Sequence, residues 1–474
     1  MKQWSHTLRS AVAGSLAITA LYLPAVAPAQ SKKAAGIWLT TPDRANLLAR
    51  KPVLRWKKAD VIASDAIVVD DTKRFQTMDG FGHALTGGSA QLLMKMSAAK
   101  RSALLHELFD AKGGIGTSYV RVSIGASDMN DHVYTYDDMP AGQTDAELQH
   151  FSVAEDEKDV IPVLREILVI QPHLHIVASP WTAPAWMKDN GAVKGGSLQP
   201  QFYEVYAHYL VDYVQAMQRH GITINAITPQ NEPENPKNTP SMIVTSAEEA
   251  EFIGKHLGPA IARSGLRTKI IDFDHNCDHP EYGIDLLKDP EAYRYTDGTG
   301  FHLYLGTVDA MSQVHDAFPN KNLYFTEQMV IPKRGHPELA IAEPVARLII
   351  GAPENWSRNV LLWNLAADPQ NGPHTSDGGC PICVGAMTLD GDTVTRHEAY
   401  YTAAHASEFV PPGSVRVSSA SPGTLPHVAF VTPSGNRVLI VSNTTADEAH
   451  FAIRNCGKQA QTTLPAGAVA TYVW

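Results

Sequence analysis

From Gly80 to Asn364 short apolar runs alternate with longer stretches in which apolar residues recur every three or four positions. These are the periods of strands and of amphipathic helices. The strand-like runs begin at Gly80 and continue at Ser118–Val122, His173–Ala178, Ile222–Ile227, Thr268–Phe273, Gly300–Tyr304, Asn322–Gln328 and Asn359–Asn364. Ser97 to Leu108 reads as helix between the first two. Ser152-Val153-Ala154-Glu155 has the form of a capping box and opens a helix to about Ile170. Phe202, Val205, Tyr206, Tyr209, Leu210, Tyr213, Val214 and Met217 form one helical stripe, closed by Gly221, that reads as a packing face. Ser246-Ala247-Glu248-Glu249 is a second box, on a helix to about Ser264. Eight strands, most separated by a helical segment, predict the α/β class and a closed (β/α)8 TIM barrel.

The texture changes at Val415. Val428–Val431, Arg437–Val441, His450–Ile453 and Ala468–Trp474 are short strand candidates separated by turn residues, with no helix among them. They predict a small all-β domain, a β-sandwich. The early strands, between residue 30 and Ile67-Val68-Val69, have no place in the barrel and are expected to pair with it. The division is then residues 30–76 as N-terminal strands, 77–412 as the barrel and 413–474 as the C-terminal sandwich.

Residues 1–29 change the picture of compartment. Lys2 and Arg9, the mostly apolar Ser10–Leu23, and Ala27-Pro28-Ala29 read as a secretory signal with its cleavage site, so the mature chain is expected to be exported, periplasmic or extracellular. The apolar run is short for a membrane anchor, and no later run approaches spanning length. Cleavage removes Lys2 and Arg9 and no acid, taking the formal net charge from −10 to −12. An acidic surface argues against nucleic acid and anionic lipid as partners and suits a neutral substrate. Export permits disulfides. Cys380-Pro381-Ile382-Cys383 follows two glycines in a loop and reads as a local disulfide. It lacks a thioredoxin-like setting and the further ligands that zinc needs. Cys277 and Cys456 are not paired from sequence.

Two of the strands end in a glutamate. Ile227-Thr228-Pro229-Gln230-Asn231-Glu232-Pro233 closes the fourth, where Pro233 cannot continue a ladder. Asn322-Leu323-Tyr324-Phe325-Thr326-Glu327-Gln328 closes the seventh. One strand-end glutamate is ordinarily a solvated loop residue. Two at C-terminal strand ends, where a barrel gathers its chemistry, suggest paired carboxylates facing one cleft, as glycosidic hydrolysis requires. The glycine-rich Gln76–Gly88 stretch lacks the lysine of a phosphate loop. His173 and His175 alternate on one strand face without completing a ligand set, and no His-Glu-x-x-His motif occurs. Neither a metal nor a cofactor is expected.

An ordered set of motifs carries a family resemblance: Asp79-Gly80-Phe81-Gly82, Val120-Arg121-Val122, Tyr134-Thr135-Tyr136, Ala178-Ser179-Pro180-Trp181-Thr182-Ala183-Pro184, Pro229-Gln230-Asn231-Glu232-Pro233, Phe325-Thr326-Glu327 and Trp363-Asn364-Leu365-Ala366. The chain resembles glycoside hydrolase family 30, especially its glucosylceramidase-like branch. The resemblance implies a retaining mechanism with Glu232 as acid/base and Glu327 as nucleophile. It also implies that Tyr304 and Arg121 hold the ionised Glu327. Asn231 would bond the sugar 2-hydroxyl, Asp128 and Trp181 the far hydroxyls, with Trp363 as a stacking floor and His302 at the rim. Packing readings stand beside these: a buried salt bridge for Arg121, barrel filling for Trp181 and Trp363, an ordinary hydrogen-bonded histidine for His302, a loop cap for Asp128. Glu232 has to begin protonated, so burial and the charge of Glu327 are expected to raise its pKa.

The expected activity is that of an exported retaining β-glucosidase of glucosylceramidase type, acting on a β-glucoside. The alternative within the family is an endo-β-1,6-glucanase, with xylan- or fucoside-directed relatives behind it. A carbohydrate-binding protein that has lost catalysis would not need both carboxylates. Leu303 stands where the animal glucosylceramidases carry tryptophan, and the Gly372–Gly385 loop also departs from theirs, which bears on the aglycone rather than on the sugar.

Overall fold

The computed structural model describes residues 1, 34–59, 61, 63–332, 338–421 and 423–474. The expected export segment, Met1 apart, lies outside the described residues. Among them no helix is long and apolar enough to cross a membrane.

Eight parallel strands close on themselves: β1 (Gly80–Ala84), β2 (Tyr119–Ile124), β3 (His175–Pro180), β4 (Ala226–Ile227), β5 (Lys269–Cys277), β6 (Thr296–Gly306), β7 (Asn322–Glu327) and β8 (Ser357–Leu362). Each pairs with the next, and β8 returns to β1. The eight predicted runs are these strands. Their residues are almost continuously buried because a parallel barrel covers both faces. Outward residues such as Val120, Ile176 and Phe325 join the core beneath the helices. Tyr119, Val177, Ala226, Ile271, Tyr324 and Leu361 fill the barrel interior. One pleat further along, β2, β3 and the end of β4 point Arg121, Ser179 and Thr228 inward, all fully buried. The interior thus turns from apolar to polar toward the C-terminal mouth.

Three local expectations are corrected. β4 is two residues long rather than the run from Ile222, because the preceding backbone is satisfied elsewhere. Ile222 N–H bonds Met217 O at the end of the helix Tyr203–Arg219, and Ile224 O accepts from Thr268 Oγ1. The box at Ser152 does not form. The helix begins at Val160, capped by the Asp159 carboxylate, while Asp156 is buried and accepts from the hydroxyls of Tyr134 and Tyr136, each at 2.7 Å. The second box is one residue early: Thr245 and Glu248 form it, and the buried Glu249 instead accepts from Phe273 N and Tyr282 Oη. That helical path runs from Ser246 to Ser264 with a π turn at Phe252–Leu257.

The second layer is a continuous ladder of ten strands. The early strands enter it as expected: Ala34–Thr40 pairs with Val469–Val473, and Ala66–Thr77 lies between Val415–Ala420 and Ala449–Asn455. Lys458–Leu464 was not predicted, being mostly polar. Its hairpin turns on Cys456 and Gly457, both with φ above zero (49° and 71°), the two-residue geometry that usually reads Asn-Gly. The central strands bury both faces. Ala429, Leu439 and Tyr472 face the sandwich core, while Val428, Phe430, Val438 and Ile440 join the barrel's core. The ring of Phe430 meets that of Phe81 of β1 edge-on, centroids 6.4 Å apart.

Phe430 is fully buried at this junction, so Phe430→Ala is expected to cost about 3–5 kcal/mol in chemical denaturation. A loss below about 1 kcal/mol, the range of a surface change, would mean that the sheet and barrel do not depend on this contact.

Candidate active site

Strict alternation along β7 turns Tyr324 inward and Phe325 outward, and would turn Glu327 outward as well. The ladder slips there: Phe301 pairs with Phe325, but His302 pairs with Glu327. One residue is bulged, and the carboxylate swings into the barrel mouth. β5 does the same, with Gly300 opposite Phe273 and Phe301 opposite His275. Phe273 and Asp274 take φ of 68° and 55°, and Glu232, just beyond β4, takes 47°. These are costly backbones for residues with side chains. They gather where three acidic or neighbouring residues are aimed at one point.

That point is the guanidinium of Arg121. It donates to Glu327 Oε2 (2.5 Å), Asn231 Oδ1 (2.7 Å) and Asp274 Oδ2 (2.7 Å). Tyr304 Oη donates to the other Glu327 oxygen at 2.8 Å. Asp274 Oδ2 also accepts from Ser179 and Thr228 hydroxyls, each at 2.9 Å. His302 bridges the carboxylates: Nε2 is 3.1 Å from Asp274 Oδ1, and Nδ1 is 3.3 Å from Glu232 Oε1 and 3.8 Å from Glu327 Oε1. Asn235 Nδ2 donates to Glu232 Oε2 at 2.7 Å. Both strand-end glutamates therefore reach a single imidazole nitrogen, which brings them together as the sequence suggests.

The protonation pattern differs from expectation. Burial pushes Glu232 up, but the hydrogen bond and charge of His302, with His275 and Asn235 behind them, bring it down to about 2. Burial also pushes Glu327 up. His302 and Arg121 oppose that without cancelling it, and repulsion from Glu232 adds to it. His302 resists its own burial because Glu327, Asp274 and Glu232 surround it, and it rises to about 9. Asp274 is held far below the usual carboxylate range, burial being outweighed by Arg121 and His302. The free site at neutral pH thus keeps its proton on His302, between Glu232 and Asp274. Sequence reasoning placed His302 at the rim; it is fully buried beneath the carboxylates. It also passed over Asp274, His275 and Asn235. The polar run Asp274-His275-Asn276 at a C-terminal strand end was the available signal, the same one that marked the glutamates.

The carboxylates open into a cavity of about 520 Å³, whose lining includes Asp128, Trp181, Asn231, Tyr304 and Trp363. The two indoles lie 5.5 Å apart at 32°, and the Arg121 guanidinium sits 4.9 Å from the ring centre of Trp181. Asp128 is pushed up to about 8 by burial and by Glu327 and Glu232, so it is a neutral carboxyl able to donate. Its main-chain oxygen accepts from Thr375 N, tying it to the 368–385 loop. That loop carries the expected disulfide, Cys380–Cys383, which packs near Trp181 and Trp363. Cys277 is free and buried, and Cys456 is free and exposed. Glu232, His275 and His302 offer three potential ligand atoms within 4.8 Å; His302 is engaged by Glu232 and Asp274, while the buried Nδ1 of His275 has no hydrogen-bond partner and lies 3.9 Å from Glu232 Oε1. A larger cavity, about 590 Å³, opens at the opposite end of the barrel. Its Asp79 is paired with Arg358 at 2.7 Å, and it holds no facing carboxylate pair.

Comparison with known proteins agrees with this arrangement. The Glycosyl hydrolase family 30 TIM-barrel domain matches residues 78–410, and the Glycosyl hydrolase family 30 beta sandwich domain matches residues 413–472. An endo-1,6-beta-D-glucanase of Trichoderma harzianum is 32% identical over 430 residues, 85% of this chain and 86% of that protein. The lysosomal acid glucosylceramidase of Mus musculus is 30% identical over 438 residues, 86% and 83% of the two chains. The solved endo-beta1,6-glucanase BT3312 superposes with a TM-score of 0.85 at 32% identity, covering 93% of this chain and 99% of its own.

The His302 proton has a direct test. Imidazole nitrogen resonances should show His302 doubly protonated at pH 7 and titrating near pH 9. Asp274→Asn, with its fold checked by melting temperature, should move that titration to lower pH. A His302 that is neutral at pH 7 in the wild type would overturn the arrangement.

Proposed function

The chain belongs to glycosyl hydrolase family 30, a family of retaining β-glycosidases, and on that premise we propose how its residues divide the double displacement. Glu327 is the nucleophile. Arg121 and Tyr304 each hold one of its oxygens, so its ionised form is stabilised and its approach to the anomeric carbon is fixed. Glu232 is the acid/base. The proton it gives the departing glycosidic oxygen comes from the Glu232–His302 pair, which holds one proton in the free site. As the C–O bond to the leaving group breaks, a C–O bond to Glu327 forms. Water then attacks the glycosyl-enzyme, gives its proton to Glu232, and releases the sugar with its original configuration.

The remaining contacts follow from the same geometry. The Asn231 carbonyl oxygen is occupied by Arg121, so its amide hydrogens are the part presented to the sugar 2-hydroxyl. Asp128, kept neutral, and Trp181 address hydroxyls on the far side of the ring, over Trp363. His302 touches the carboxylates rather than the sugar rim.

For the leaving group we favour a β-1,6-linked glucan. The observation that carries this is the polar lining beside Glu232, where Glu234, Asn235, Lys237, Asn238, Asp278 and His279 face the cavity. These are groups that suit a hydroxyl-rich leaving group, and similarity to endo-1,6-β-glucanases at 32% identity supports the same substrate. A glucosylceramide-like substrate is the second reading, supported by Leu305 and Met329 in the same lining and by Leu305 being 58% exposed. The signal-like residues 1–29 support action outside the cytoplasm.

On an aryl β-glucoside, Glu327→Gln is expected to lose nearly all activity, and the wild type to release β-glucose first by proton NMR. Glu327→Gly with azide should yield α-glucosyl azide. Glu232→Gln should lose about 10²–10⁴-fold on unactivated linkages and much less on leaving groups that need no proton. Full activity in Glu327→Gln, or α-glucose as first product, would sink the assignment.

With β-1,6-glucan and glucosylceramide compared side by side, kcat/KM should favour the glucan, and chain products should include oligosaccharides. A preference for glucosylceramide would return the substrate to the lipid reading.

A further inference from the structure

The loop between β2 and the helix at Val160 contains a second group of potential ligands, none of which lines the catalytic cavity. One atom from each of Asp137, Asp145 and His150 lies within 4.8 Å of the others. Asp145 is buried, and its Oδ2 accepts from His150 N at 2.7 Å and faces His150 Nδ1 at 2.9 Å. Asp137 is 1% exposed, yet neither of its carboxyl oxygens has a hydrogen-bond partner. The adjacent Asp138 is different. Its carboxylate is satisfied by Thr135, accepting from the backbone at 2.8 Å and from the hydroxyl at 2.7 Å. Trp186 approaches Asp137 as well, but its Nε1 donates to the main-chain oxygen at 2.9 Å. The charged groups bearing on the Asp137 carboxyl are Asp145, Asp138 and His150, two of them acids.

A buried carboxylate with no donor, facing a second buried carboxylate, is unfavourable unless it takes up a proton or a cation stands between them. The one nearby group able to adjust is His150, whose side chain is 66% exposed. Two carboxylates and one imidazole make a mixed oxygen–nitrogen set. That set suits zinc or manganese better than calcium or magnesium, which prefer oxygen throughout. We propose that Asp137, Asp145 and His150 bind one divalent transition-metal cation. In binding, it replaces the His150–Asp145 contact with bonds to the metal and gives the bare Asp137 oxygens a partner. Three protein ligands leave a position for water. The role is structural. The cation cross-links Asp137 to the Asp145–His150 turn within the loop that begins at Gly125 and carries Asp128, and Asp137 in turn holds Trp186 through its main-chain oxygen.

The test uses the untagged full chain stripped with chelator, titrated with Zn²⁺ by calorimetry and followed by thermal melting, in the wild type, Asp137→Asn, His150→Gln and Glu232→Gln. One zinc per chain with a raised melting temperature is expected in the wild type and in Glu232→Gln. Loss of an outer-shell partner alone weakens metal sites about 10–100-fold, so loss of a direct ligand in Asp137→Asn or His150→Gln should weaken binding at least about tenfold and abolish the melting shift. His150→Gln changes an exposed side chain and keeps the test meaningful if Asp137→Asn folds poorly. Unchanged binding in both ligand variants overturns the proposal, as does absence of binding with both Zn²⁺ and Mn²⁺. Zinc that persists in those variants but disappears in Glu232→Gln would sit at the Glu232–His275–His302 group and would overturn it equally.

Discussion

A fully buried guanidinium organises this molecule. Arg121 has no water to solvate it, so it must be surrounded by acceptors, and Glu327, Asp274 and Asn231 supply them. Removing either carboxylate would leave the guanidinium short of a counter-charge in a low dielectric. The partners arrive from β5, β7 and the turn after β4, while Arg121 itself is on β2. Strands far apart in sequence are thus tied at their C-terminal ends. His302 adds a second cation among the same carboxylates, so three acids and two cations occupy one knot, with Arg121, Asp274 and His302 fully buried and Glu232 and Glu327 at the cavity floor. Such a knot is fixed before any substrate arrives, which is the condition for electrostatic stabilisation of a developing charge.

Meeting that constraint distorts the backbone. The bulges of β5 and β7 and the positive φ at Glu232, Phe273 and Asp274 all lie at the knot. The surrounding layers hold these conformations in place. Outward faces of the strands pack under the helices, the interior below the knot is filled by residues such as Tyr119 and Tyr324, and the ten-stranded sheet buries its second face against the barrel. The sandwich is therefore part of the barrel's core rather than an appendage. The early strands belong to it because Ala34–Thr40 completes a ladder with Val469–Val473 at the other end of the chain.

Much of this could be read along the chain. The alternation of periods located all eight barrel strands and the late β-domain, because burial on one or both faces leaves a local record in residue order. Pro233 and the strand-end position singled out Glu232, and the repeat of that setting singled out Glu327. Cys380 and Cys383 paired as their spacing suggested. Local signals misled where a polar side chain had another partner. The Ser152 box failed because Ser152 accepts from Ala154 N and Glu155 pairs with Lys158, and Glu249 was taken for a cap residue when it serves Phe273 and Tyr282. Lys458–Leu464 carried no apolar alternation and was passed over.

What the residue order determined by itself was architecture and the identity of the two carboxylates, since both follow from periodicity and from where strands stop. Tertiary structure alone decided the proton. Glu232 was expected to be raised by burial and by its fellow glutamate. Instead, His302 lies between Glu232 and Asp274 and lowers the one by holding the proton itself. A pKa is a sum over every charge within a few ångströms, and those charges come from several strands, two of which are bulged where no local pattern announces it.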